Sequence, residues 1–167
     1  TAVPGGLIVF ETDRGGGIYH LYLMNNDGTD QTQLTDNGLA ASREPAWSPD
    51  GTRIAFRGQT TADEASADIY LINADGSGQV QLTSDDGIHS QPAWSPDGLH
   101  IAYRHKNEQG GNLTVIDPAG SNPVAITPNA PHNYPPAVTP GRALIPLSPP
   151  PRQGTPPRLP RPPPRAR

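Results

Sequence analysis

Five histidines and 16 acidic residues are the side chains here that could do chemistry. Imidazole nitrogens and carboxylates bind metals or move protons when short, regular spacings bring them together on one element. His20, His89, His100, His105 and His132 show no close metal-ligand spacing, so surface histidines are the expected reading. The stretch NNDGTD, Asn25 to Asp30, superficially resembles the start of a calcium loop, but it lacks the downstream bidentate glutamate, and hairpin chemistry already explains its Asp-Gly. The zinc-protease pattern HExxH, the nucleophile elbow GxSxG and the Walker phosphate loop do not occur. There is no cysteine, so disulfides and thiolate metal sites are excluded. The residues therefore suggest no catalytic group, no cofactor site and no metal site, and binding is the remaining function. The positions available for binding depend on a repeat.

Four phrases recur in the same order. Trp47 in PAWSPDG returns as Trp94, 47 positions on. LYLMNNDG from Leu21 returns as IYLINADG from Ile69, and QLT from Gln33 returns from Gln81, both 48 positions on. IVF at Ile8, IAF at Ile54 and IAY at Ile101 keep step. A third, shorter copy continues with LTVIDPAG from Leu113 and AIT from Ala125, and PAVTPGR from Pro136 opens another. Each unit predicts four short strands, PAW, RIAF, DIYLI and VQLT in the best copy, rich in β-branched and aromatic residues and bounded by Gly, Pro, Asn and Asp. A four-stranded antiparallel unit of about 40–50 residues is the size of a β-propeller blade. The fold class is therefore all-β, a partial propeller of about three blades. The units run at about 5–44, 45–91 and 92–135, with the start of another at 136.

The turn chemistry explains the repeated phrase. Pro49 and Pro96 preset φ at the first central turn position, Asp50 and Asp97 can bond nearby backbone amides, and Gly51 and Gly98 take the left-handed conformation. NNDG and NADG join strands three and four likewise, so both hairpin tips belong at one end of a unit. One thin sheet cannot bury both faces, and Trp47 and Trp94 are natural wedges between neighbours. Burying about 200 Å² of indole at roughly 25 cal/mol per Å² contributes about 5 kcal/mol before entropy costs. The first unit begins at GGLIVF and lacks a PAWSPDG strand of its own.

The connections between units, DNGLAASRE, SDDGIHSQ and PNAPHNYP, fall at the other end, near the propeller axis. Loops held on a rigid scaffold carry binding functions. Ser42, His89 and Asn133 are equivalent there, followed by Arg43, Ser90 and Tyr134, and these six are the candidate partner-binding residues. The second-to-third strand connection RGQTTADEASA is long and acidic, and is expected as a mobile rim.

The formal net charge of −4 hides an asymmetry. Residues 1–140 hold all 16 acids and six of the 12 basic residues, a balance of −10, which disfavours nucleic acid. The longest useful apolar run, GLIVF, is far short of a membrane span, so no membrane insertion is expected. No signal peptide is visible ahead of Thr1; one removed earlier, or further upstream chain, fits that start. Residues 141–167 hold ten prolines, six arginines and no acid, and should be disordered or polyproline-like. Such a tail fits an SH3-like groove or an acidic surface. Because the pattern breaks inside a repeat motif, a shifted reading frame also explains it.

PAWSPDGTRIAF followed by DIYLINADGSGQVQLT resembles the WD40-like Pro-Asp repeat of TolB-type propellers, over roughly residues 5–140. The resemblance implies a non-enzymatic scaffold that binds proteins of the Tol–Pal envelope system, in the periplasm or otherwise outside the cytoplasm, with no cofactor. Similar repeats occur in the propellers of prolyl-oligopeptidase-type serine peptidases and in sensor propellers, including those attached to kinases, and fold alone does not choose among them. TolB carries an N-terminal α/β domain that has no counterpart here. A closed ring needs about four blades or more, so a fragment is expected, with missing blades or self-association covering its open faces.

Overall fold

The strands are short and cut off by turn residues, and in the central ones, such as RIAF and DIYLI, alternate side chains must find two different neighbours. The computed structural model describes residues 6–127 other than 15, 37, 62–65 and 109, together with Pro136. Within these residues there are eleven strands and no helix. The first sheet holds β1 (Leu7–Thr12), β2 (His20–Asn25) and β3 (Thr32–Gln33). The second holds β4 (Ala41–Trp47), β5 (Arg53–Gln59), β6 (Asp68–Asn73) and β7 (Val80–Gln81). The third holds β8 (Ile88–Trp94), β9 (Ile101–Asn107), β10 (Gly110–Ile116) and β11 (Val124–Ala125). All pairings within the sheets are antiparallel between sequence neighbours, giving three successive blades of a partial β-propeller. The first blade has three strands, as its missing PAWSPDG strand requires. The Pro/Arg-rich tail, 141–167, lies outside the described residues.

The blades stack through the two faces of the central sheet. Ile54 and Phe56 of β5, with Tyr70 and Ile72 of β6, pack with Leu21, Leu23 and Val9 of the first blade. The intervening residues Ala55, Ile69 and Leu71 turn the other way and pack with Trp94, Ile101, Tyr103 and Ile116 of the third blade. The period of two along each strand thus feeds two separate cores. Both tryptophans take the wedge positions. Trp47, half-buried, joins the first core and Trp94, 7% exposed, the second. The Arg53 guanidinium lies 5.2 Å from the Trp94 ring centroid, adding a cation–π contact between blades.

The SPDG turns have the expected chemistry and one participant more. The Gly51 N–H donates to the Ser48 carbonyl, and Gly51 and Gly98 have φ of 69° and 70°. Asp50 accepts from the Ser48 hydroxyl and the Thr52 N–H, and the Ser48 hydroxyl oxygen in turn accepts the Arg53 N–H. Ser95, Asp97, Leu99 and His100 repeat the set. The Ala74 N–H donates to the Thr52 carbonyl at 2.9 Å, holding both hairpin tips of the second blade at one end.

Two strand boundaries differ from the sequence reading. The fourth strands pair over only two residues, because the threonine of QLT takes over from the backbone. The Thr35 and Thr83 hydroxyls accept the N–H groups of Leu21 and Ile69, both at 2.9 Å, and Thr127 accepts that of Leu113 at 2.8 Å. The first strands, in contrast, begin at Ala41 and Ile88, ahead of the prolines at 45 and 92 taken as the unit starts. Proline cannot donate to a ladder, but a bulge absorbs it: the register shifts between Arg43 and Ala46 and between Ser90 and Ala93. Glu44 and Gln91, inside these bulges, adopt φ of 55° and 57°.

Candidate functional site

The extra strand length changes the setting of the candidate partner residues. Ser42 and Arg43 lie on β4, and His89 and Ser90 on β8, not in loops. Ser42 pairs with Gly58 and His89 with His105 at matching positions of their hairpins, so the two are equivalent as expected. Both tie blades together. The Ser42 N–H donates to the Tyr19 carbonyl at 2.7 Å, and the His89 N–H to the Ala67 carbonyl at 2.8 Å. This use of the backbone buries Ser42, His89 and Ser90, while Arg43 is half-buried with its guanidinium 3.7 Å from the Tyr19 ring centroid. Asn133 and Tyr134 lie outside the described residues.

His89 corrects the reading of the histidines as surface residues. It is fully buried and forms the centre of a polar cluster between the second and third blades. Its Nδ1 is 3.2 Å from the Ala67 carbonyl oxygen and 3.1 Å from Asp68 Oδ1. Its Nε2 is 3.1 Å from Asp85 Oδ1. The His105 ring stacks on it, with centroids 4.4 Å apart, and places Nε2 3.0 Å from the Asp86 carbonyl oxygen and Nδ1 3.7 Å from Asp85 Oδ2. Tyr103 meets His89 edge-on, and burial, reinforced by the Asp85 charge, pushes its phenol above the ordinary range.

The local fold makes room for these rings. Gly87 has φ of 131°, and a Cβ there would stand 2.5 Å from the Lys106 carbonyl oxygen and 2.8 Å from His105 Nε2. Asp68 is held by the Thr83 hydroxyl and the Gln81 amide, both donating at 2.9 Å. Asp85, His89 and His105 each present one possible ligand atom, all within 4.8 Å of one another. Sequence spacing hid this trio because β8 and β9 bring it together across a hairpin. The turn alone does not give it: the register at Trp94 and Ile101 would set His89 opposite Lys106, and the bulge between Ser90 and Ala93 shifts the pairing by one residue to bring His105 across.

Elsewhere the acidic turns are internally satisfied. In NNDGTD the Asp27 carboxylate accepts from the Thr29 hydroxyl and N–H, and Asp30 accepts from the Asn25 amide, as in an ordinary hairpin. Among the described residues, no helix is long and apolar enough to cross a membrane.

Comparison with known proteins agrees with this architecture. No curated protein matches the chain. TolB from Agrobacterium tumefaciens is similar, at 26% identity and a TM-score of 0.66, over 75% of this chain and 44% of that one. TolB from Acinetobacter baumannii shares the fold at 22% identity and a TM-score of 0.64, over 75% of this chain and 32% of its own. Puromycin hydrolase shares it at 20% identity and a TM-score of 0.56, over 75% of this chain and 24% of its own. The chain thus spans less than half the length of either TolB. The TolB β-propeller domain family matches residues 3–148, most of the chain, and on that match and the stacked blades this chain belongs to the TolB β-propeller family.

Proposed function

We propose that this chain acts as a non-enzymatic protein-binding scaffold outside the cytoplasm, in the manner of TolB in the Tol–Pal envelope system. The family match across residues 3–148 carries this reading. The partner surface is the end of the stack where β4 and β8 begin. Arg43 supplies a half-buried cation there, Ser42, His89 and Ser90 set the strands beneath it, and Asn133 and Tyr134 are their sequence equivalents in the next unit. The partners are envelope proteins, and the acidic balance of residues 1–140 disfavours nucleic acid.

A second reading rests on the likeness to puromycin hydrolase. In it the chain is the propeller of a serine peptidase, and catalysis resides on another domain. One binding experiment separates the two. The purified chain is passed over immobilised Pal lipoprotein and, separately, over immobilised proline-containing peptides. Saturable binding to Pal that Arg43→Glu weakens at least tenfold is the expected result. Binding to the peptides with none to Pal would replace the scaffold reading with the peptidase one.

A further inference from the structure

We propose that Asp85, His89 and His105 form a binding site for a divalent transition-metal ion of the zinc class, between the second and third blades. The argument starts from protons. His89 Nδ1 faces two acceptors, the Ala67 carbonyl at 3.2 Å and Asp68 Oδ1 at 3.1 Å, so this nitrogen carries the ring hydrogen. The other ring nitrogen, Nε2, then keeps its lone pair, and Asp85 Oδ1 lies 3.1 Å from it. That nitrogen is buried and makes no hydrogen bond. A bare lone pair this close to a carboxylate oxygen is repulsive unless both share a cation.

His105 repeats the arrangement. Its Nε2 is set against the Asp86 carbonyl at 3.0 Å, which leaves the Nδ1 lone pair available 3.7 Å from the second Asp85 oxygen. Two imidazoles thus hand their hydrogens to fixed acceptors and keep their other nitrogens beside one carboxylate. Ring nitrogens that ligate metals are oriented this way, by a carboxylate or carbonyl on the far side of the ring. Asp68 and the Ala67 and Asp86 carbonyls are those outer partners.

The donor set of two nitrogens and one carboxylate oxygen suits zinc and its neighbours, with water completing a tetrahedral shell. Bonds of roughly 2.0–2.2 Å to a common ion put ligand atoms about 3.3–3.5 Å apart. The three atoms already lie within 4.8 Å of one another, and Asp85, 64% exposed, is free to swing inward. Blade stacking does not need the cluster. The equivalent hairpin of the second blade pairs Ser42 with Gly58 where this one pairs His89 with His105, and makes the same inter-blade backbone bond.

The test is titration of the full, untagged chain with Zn²⁺ by calorimetry and with Co²⁺ by visible absorption, circular dichroism confirming the fold of each variant. One equivalent of zinc and a visible d–d band from bound Co²⁺ are expected. Asp85→Asn, His105→Ala and His89→Ser, the last borrowing the residue the second blade uses, should each weaken binding at least tenfold. Asp68→Asn, acting as a positioning residue, should weaken it about 10- to 100-fold. His20→Ala should leave it unchanged. If no metal is taken up, or uptake is the same in Asp85→Asn and His105→Ala as in the parent, the site does not exist and a proton fills the gap beside His89.

Discussion

Glu44 Oε2 accepts the backbone N–H of Gln91 at 2.6 Å, so the bulge of one blade caps the bulge of the next. The Glu44 N–H is itself capped by Glu11 Oε2 at 2.5 Å. Both receiving residues stand at positive φ directly before a proline, where the ladder cannot take their N–H groups. Each carboxylate therefore resolves a strain and an unpaired donor on its neighbour, and the three blades are linked in series. In the sequence, Pro135 occupies the position equivalent to Glu44 and Gln91, and proline has no N–H to donate.

Removing this link should weaken the stack without altering either blade. A hydrogen bond to a charged acceptor contributes about 1.5–3 kcal/mol. Glu44→Ala should lower stability by about that amount and Glu44→Gln by less, read as a fall in the urea midpoint with little change in slope. A midpoint unchanged in both variants would show that the cap contributes nothing.

Gly58 is the closest approach in the first core. A Cβ there would lie 2.6 Å from Tyr70 Cδ2 and 2.9 Å from Leu39 Cδ1. Gly58→Ala should cost about 1–3 kcal/mol through overpacking, and pairing it with Leu39→Ala should recover part of the loss. Thermal melts of the single and double variants check this.

Five turn aspartates give the fold an acid limit. Hydrogen bonds from the Ser48 hydroxyl, then from Thr52, bring Asp50 down to about 2 from the ordinary 3.8. Asp27, Asp75 and Asp97 are lowered chiefly by hydroxyl donors, and Asp117 by the Ser121 N–H. A lowered folded pKa means stability that is complete above the unfolded value and lost as pH falls through the folded one. Melting temperature should therefore hold steady down to about pH 4 and fall toward pH 2, and Asp50→Asn should flatten part of that fall. A profile unchanged by the substitution would contradict the assignment.

The two tryptophans should not be equivalent. Trp94 is 7% exposed inside the second core, whereas Trp47 is half-buried at the edge of the first. Trp94→Ala should cost about 3–5 kcal/mol and Trp47→Ala clearly less. Fluorescence should show the more blue-shifted emission in the variant that keeps only Trp94.

The repeat, its turns and its tryptophan wedges were legible because each rests on local chemistry: Pro and Gly fix the turn, and alternation fixes the faces. What escaped depends on pairing at a distance. The strands run past Pro45 and Pro92 because the carboxylates of Glu11 and Glu44, 33 and 47 residues from the N–H groups they accept, stabilise the bulges. The fourth strands stop early because Thr35 and Thr83 reach back 14 residues. His89 reads as a surface loop residue until the register sets His105 across from it. Partner-binding residues carry no such local mark at all.

Amide hydrogen exchange tests the stacking of dependent blades most directly. The N–H groups of Ser42, His89 and Gln91 donate to atoms of the preceding blade, at 2.7, 2.8 and 2.6 Å. In the full chain all three should exchange far more slowly than in an unfolded peptide, and should lose protection together when Trp94 is replaced by Ala. Exchange of these three at the unfolded rate, beside protected β5 and β9 amides, would show blades that fold without touching.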